Sequence, residues 1–307
     1  MMQKRNPLVT VGIPTFNRPA GLERTLECIR QQSYTNLEII VSDNCSTDAN
    51  VLPILNKHAA ADSRLRVYVQ EKNISIVPNF EFLLSQASGD YFMWAADDDF
   101  WDSNFIEVCV NGLDENNDAV LCIGDIKIVN LANQEKKISL RKGFLQNSLY
   151  GRLFQWVRSE GESKYFFCGL YRSSAVKKIQ FPNYWGGDHM FLLEAITKGK
   201  FLYIPDQTNF YYFRGGSSTS NERIRKAFNI QSAFFYSETY ILRYAWYHFG
   251  FAHLSFLQKI GLFFANSAGL LFNRDKILYY ALIKKPFMDL KSFIRYKISN
   301  RGKVKGD

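Results

Sequence analysis

With 307 residues, 47% of them hydrophobic and 16% aromatic, the chain carries apolar material for one large domain or two small ones and reads as a globular protein. Its net charge of +9 points to an acidic partner, which composition leaves open among nucleic acid, an anionic membrane face and a phosphorylated small molecule. The five cysteines (Cys28, Cys45, Cys109, Cys122 and Cys168) are far apart with no C-x-x-C pair, which argues against a zinc site or a disulfide framework and suits a reducing cytoplasm. The start "MMQKRNPLVTVGIPTF" is basic, but Pro14 cuts its apolar run and no small-residue cleavage site follows, so no secretory signal is expected. The apolar stretch 260–272 is shorter than the roughly 20 residues that a spanning helix needs, so no transmembrane helix is expected either.

The first hundred residues alternate two kinds of segment. "LVTVGIPTF" (8–16) is a β-branched apolar run and reads as a buried strand. Asn17 and Pro19 suit the cap and first turn of a helix through "AGLERTLECIRQQ", in which Leu22, Leu26 and Ile29 recur at helical spacing. The pattern repeats: strand "LEIIVSD", a helix after Asp48, strand "LRVYVQ", a helix through "PNFEFLLSQAS" stopped by Gly89, and strand "YFMWAA". Four strands joined by crossover helices imply an α/β fold with a mostly parallel, doubly wound sheet. Ligands of such sheets bind beyond the carboxyl ends of the strands, where this chain places "PTFNRP", "SDNCSTD" and "DDDFW".

Beyond residue 119, "AVLCIGDIKIVN" reads as one more strand. "SKYFFCGLYR" (163–172) and "KFLYIPDQTNFYYFR" (200–214) read as further strands, separated by a helix through "GGDHMFLLEAITKGK". From about residue 221 the chain looks helical, aromatic and increasingly basic. Residues 273–307 hold ten Lys or Arg against three Asp or Glu. The expected organisation is one domain over 1–220, divided into a half at 1–101 and a half at 102–220, followed by a helical basic extension at 221–307.

Asp97, Asp98 and Asp99 stand in a row at a strand end, where like charges repel unless solvated or paired. Two readings stay open. One is an acidic turn whose Asp caps a helix at "DSNFIEVCVNGL"; the other is an oxygen-ligand site for Mg²⁺ or Mn²⁺ shared with a substrate diphosphate. No G-x-G-x-x-G follows the first strand and no P-loop motif occurs, which speaks against dinucleotide binding and P-loop hydrolysis.

Two stretches, "VTVGIPTFNRPAGLERTLECIRQQSYTNLEIIVSDNCSTD" and "EKNISIVPNFEFLLSQASGDYFMWAADDDFW", resemble the nucleotide-binding half of family 2 glycosyltransferases of the GT-A fold, bacterial cell-surface polysaccharide transferases among them. The resemblance implies an inverting, metal-dependent transfer of a sugar from a nucleotide diphosphate donor to a glycan. It assigns Pro14, Thr15, Asn17 and Arg18 to the nucleotide site, Asp43 to the base, and Asp97 to the ribose or the metal shell. Asp98 is the metal ligand it implies first, with Asp99 able to exchange roles with it. "YWGGDHMFLLEA" resembles the family's Gly-x-Asp or Glu-Asp segment and makes Asp188 the general base; the alternative is a plain helix N-cap. "YYFRGGSSTS" (211–220) resembles a late segment in which Arg214 becomes a diphosphate contact, or else a solvated arginine in a turn. Gly216 stands there in place of a histidine, and Ser75 stands where many relatives carry glycine. His58, His189, His248 and His253 read as packing or hydrogen-bonding residues.

The aromatic and basic C-terminal extension suits an interfacial helix on an anionic membrane, consistent with a lipid-linked acceptor. It equally suits a cap packed on the core with a solvated tail. The expected location is cytoplasmic, with the inner membrane face as its peripheral variant. Rival functions are a sugar nucleotidyltransferase, which lacks its Gly-rich loop here, and a catalytically silent glycan-binding or membrane scaffold. A nucleic-acid binder is disfavoured because the positive charge lies in the tail without a recognition motif.

Overall fold

The computed structural model describes residues 6–130, 135–138, 144–158, 162–182, 187–214, 248–251 and 253–272. The chain divides into two compact units, residues 1–233 and 234–307. The boundary expected at 220/221 and the basic stretch 273–307 lie outside the described residues.

The first unit opens with four βα repeats. Strands β1 (Val9–Thr15), β2 (Leu37–Asp43), β3 (Leu65–Val69) and β4 (Tyr91–Trp94) are separated by helices α1 (Pro19–Arg30), α2 (Val51–Ala61) and α3 (Ile76–Gln86). Every residue of β1 and β4 is buried. Such continuous apolar runs belong to parallel strands covered by helices on both faces. In α1, Leu22, Leu26 and Ile29 are buried, as their spacing predicts. β1 pairs in parallel with β2 and with β4, and β2 with β3. The register aligns Pro14 with Ser42 and Thr15 with Asp43, so the polar loops after β1 and β2 leave the sheet side by side.

The rest departs from the simple repeat. After β5 (Phe100–Trp101) and α4 (Phe105–Glu115), "AVLCIGDIKIVN" is two strands, β6 (Ala119–Ile123) and β7 (Asp125–Asn130), which belong to different sheets. Gly124 is the joint: a side chain there would run into the carbonyl oxygen of Thr208, so the chain passes from one sheet to the other only through a residue without Cβ. β8 (Glu135–Ile138) and α5 (Leu149–Arg158) follow. The stretch read as a strand at 163–172 is instead a 3₁₀ helix, Glu162–Cys168, followed by the short β9 (Leu170–Arg172). α6 (Ser173–Val176), α7 (Gly187–Lys198), β10 (Lys200–Tyr203) and β11 (Asn209–Arg214) complete the described part of this unit.

The main sheet runs β10-β6-β9-β4-β1-β2-β3, with β9 antiparallel to both neighbours and the other pairs parallel. A second sheet, β5-β11-β7-β8, holds "FW" of "DDDFW" antiparallel to β11. The core gathers on Trp94. Phe167 stacks on its ring at 4.9 Å, and Phe92 and Phe191 meet it edge-on at 4.8 and 5.1 Å. In the second unit the described residues include the helix Phe256–Phe272, which exposes Phe256, Leu257 and Phe264. Among the described residues no helix is long and apolar enough to cross a membrane.

Candidate functional site

The carboxyl ends of β1, β2 and β4 carry the polar clusters, and hydrogen bonds tie them together. Asp97 is buried, and its Oδ2 accepts from the Thr15 hydroxyl at 2.8 Å. The Arg18 guanidinium donates to Asp97 Oδ1 at 2.9 Å and, through the same nitrogen, to Asp98 Oδ2 at 2.7 Å. Burial pushes Asp97 up to about 6 even though Arg18 pulls the other way. Burial works against the Arg18 charge, but Asp97, Asp98 and Asp99 outweigh it and hold the guanidinium above its ordinary value.

Helix α1 holds the turn from the other side, with a row of residues that sequence periodicity did not single out. Arg24 donates to the Asp98 carbonyl at 2.7 Å, and the Thr25 hydroxyl lies 2.9 Å from the Asp99 carbonyl and 3.2 Å from that of Ala96. The Cys28 thiol donates to the Trp101 carbonyl at 3.0 Å, and the Gln32 amide to the Asp102 carbonyl at 2.8 Å. Gly21 completes the row, since a Cβ there would collide with the Asp97 carbonyl oxygen. Positions 21, 25 and 28 follow the three- and four-residue spacing of one face of α1, with Arg18 just before the helix and Gln32 just after it. That face fixes the acidic turn by its main chain, leaving the Asp98 side chain half-buried and the Asp99 residue almost fully buried.

The helix-capping reading of the triplet does not hold. The residue before α4 is Asn104, and the triplet lies upstream of it, with Phe100 and Trp101 already in a strand. Asn17 likewise does not cap α1, whose preceding residue is Arg18. With φ 55°, Asn17 turns its Oδ1 across to accept from the amides of Thr47 and Asp48 at 2.7 and 3.0 Å, which locks the β1 loop to the β2 loop. Asp43 is buried at the end of β2 and binds the Ser46 hydroxyl at 2.5 Å. Asn44 bonds the Ile74 amide at 2.8 Å and the Ser75 carbonyl at 3.1 Å. Ser75 adopts φ 75° and ψ 173°, a backbone conformation that favours glycine. Phe16, missed at the sequence level, is 41% exposed in the same loop cluster. Its signal was the presence of a large aromatic between Thr15 and Asn17.

Asp188 lies inside the first turn of α7, one residue past the start, and not at the cap. The packing that sets it there is aromatic: Phe191, one turn later, meets Trp94 on one side and Phe181 on the other. The Cys168 thiol feels the charge of both acidic groups. Burial pushes it well up, and Asp99, Asp98 and Asp188 push in the same direction. Tyr212, edge-on to Tyr165 at 5.8 Å, is held up to about 12 by burial and by Asp99 and Asp98. The antiparallel register of β11 with β5 explains the link, because pairing Tyr211 with Phe100 carries Tyr212 towards Asp99. Of the residues singled out in the sequence, Arg214 ends β11 but its side chain is outside the described ones, as is Gly216.

Oxygen donors alone, two of them on neighbouring carboxylates, fit Mg²⁺ or Mn²⁺ shared with a diphosphate. They do not fit a metal caged by protein: among the described residues no cluster of three or more His, Cys, Asp or Glu side chains is placed to hold an ion.

Known proteins resemble this chain in sequence and in fold. The pattern of glycosyl transferase family 2 matches residues 10–180. The GalNAc(5)-diNAcBac-PP-undecaprenol beta-1,3-glucosyltransferase of Campylobacter jejuni is 28% identical over 217 residues, covering 69% of this chain and 67% of that protein. An uncharacterised protein of Sinorhizobium fredii is 33% identical over 123 residues, 40% of this chain but only 14% of the relative's length. The crystal structure of S. aureus TarS 1-349 in complex with UDP-GlcNAc superposes with a TM-score of 0.64 at 18% identity, over 90% of this chain and 76% of that one. The mannosyltransferase PcManGT of Pyrobaculum calidifontis, solved with GDP-Man and Mn²⁺, gives 0.56 at 15% identity over 89% and 76%. These two likenesses carry the α/β fold. With the family pattern covering more than half its length, the chain belongs to glycosyl transferase family 2.

Proposed function

We propose that this enzyme transfers a sugar with inversion from a nucleoside diphosphate sugar to a glycan, in the building of a cell-surface polysaccharide of O-antigen or capsule type. The observation that carries the reading is the acidic turn at the end of β4, tied to the β1 loop through Thr15 and Arg18. The base binds between Asp43 and the exposed ring of Phe16, and Asp97 holds the ribose. Pro14 and Thr15 floor the nucleotide site, and Asn17 sets the distance between its two loops. Asp98, with Asp99, would hold a Mg²⁺ or Mn²⁺ ion, which when bound stabilises the charge left on the departing diphosphate.

Asp188 removes the proton from the acceptor hydroxyl as that oxygen attacks the anomeric carbon from the face opposite the diphosphate. It stands in the first turn of α7, at the positive end of the helix dipole. Arg214 contacts the diphosphate. The acceptor is lipid-linked, in keeping with the Campylobacter relative, whose name specifies an undecaprenol-linked chain. The basic stretch 273–307, with an excess of +7, draws the enzyme to the anionic face of the membrane.

Thermal unfolding in the presence of nucleotide sugars, with and without Mn²⁺ or Mg²⁺, tests the reading. A donor at one hundred times its Kd adds about 2.7 kcal/mol of stability. Metal-dependent stabilisation by one class of nucleotide sugar is expected, and none by any nucleotide sugar would refute it.

A further inference from the structure

We infer that Arg18 is a built-in counter-ion for the acidic turn, competing with the divalent cation for the same carboxylates and transferring to the diphosphate when cation and donor arrive together. The guanidinium lies between the two side chains, 2.9 Å from Asp97 Oδ1 and 2.7 Å from Asp98 Oδ2, with one nitrogen serving both. Asp98 Oδ2 thus accepts from an arginine, so a cation drawn to this carboxylate would stand beside a positive guanidinium. The two positive groups cannot share that oxygen at bonding distance without strong repulsion.

The backbone of the turn is held independently by Arg24, Thr25 and Cys28, so moving the Arg18 side chain does not unmake it. Arg18 precedes α1 rather than lying within it, and its side chain is 27% exposed, which leaves room for a rotamer change. The arrangement partly offsets the charge of the two carboxylates until a cation comes with its own diphosphate, and then offers a guanidinium to that diphosphate, whose oxygens suit its fork of donors. Competition for the carboxylates stands without the proposed transfer reaction; reuse of Arg18 on the diphosphate rests on that reading.

Mn²⁺ binding, followed by electron paramagnetic resonance on the full chain, separates the two parts. Without nucleotide, Arg18→Gln should bind Mn²⁺ about fivefold or more tightly than the unaltered protein, the equivalent of losing one competing ion pair. Arg18→Lys, which keeps the charge, should gain little. With UDP and with GDP as probes, the order should reverse, Arg18→Gln binding the Mn²⁺–nucleotide more weakly. Adding Asp98→Asn to Arg18→Gln should abolish the gain. Equal or weaker Mn²⁺ binding by Arg18→Gln, or a gain that survives Asp98→Asn, overturns the competition. A gain in Mn²⁺ affinity without the reversal upholds the competition and overturns the reuse; binding of no nucleoside diphosphate, dTDP included, overturns the proposed function as well.

Discussion

The segment up to Trp101 and the segment after it build their parts of the site by different means. In the first, regular βα repeats bring three strand ends together, and polar bonds fix the loops: Thr15 and Arg18 to Asp97, Asn17 to Thr47, Asn44 to Ser75. In the second, strands are short, two sheets interleave, and Asp188 is positioned by rings packed around Trp94. The geometry of the acidic turn therefore depends on directional bonds, whereas that of Asp188 depends on packing.

Substitutions should divide along that line. Phe191→Ala opens a cavity in the aromatic cluster and should cost about 3–5 kcal/mol in denaturant unfolding. If the protein remains folded, kcat should fall more than donor affinity, because α7 loses its seat against Trp94; the reverse split would break the comparison. Gly21→Ala acts on the acidic turn in the first segment. It should gain helix propensity but force α1 off the Asp97 carbonyl, a net loss of about 1–2 kcal/mol, with weaker nucleotide binding by calorimetry. Ser75→Gly should raise stability by about 1 kcal/mol, since the hydrogen bonds of Ser75 to Asn73 and Asn44 use its backbone and glycine relaxes the positive φ.

The smallest effect is a pH effect far from the site. Asp62 is held down to about 2, first by its hydrogen bond to Arg64. A depressed carboxylate contributes stability above its unfolded value near 3.8 and loses it as pH falls towards 2. Asp62→Asn should thus lower stability at pH 7 by about 0.5 kcal/mol after solvent screening, and the difference should vanish near pH 2.

The same contrast explains what the sequence revealed. Long β-branched runs such as "VTVGIPT" and "LEIIVSD", followed by polar strand ends, made the first sheet and its acidic turn legible. The α1 row of Gly21, Arg24, Thr25 and Cys28 was not legible, because its partners are main-chain carbonyls, which have no letter in a sequence. In the second segment local preference misled. "SKYFFC" has the aromatic content of a strand, yet packing of Phe166 and Phe167 into the core bends it into a 3₁₀ helix. Gly124 looked like one residue in a strand and is the passage between sheets. Helix α5 was missed because Gly151 interrupts its short apolar pattern.

The central claim is that a donor site built by the first segment and a base supplied by the second serve one reaction. Asp188→Asn tests it most directly, with nucleotide-sugar binding and sugar transfer measured on the same preparation. Donor affinity should stay within about twofold while the transfer rate falls by about a hundredfold to ten-thousandfold. Full transfer activity in Asp188→Asn would contradict the account.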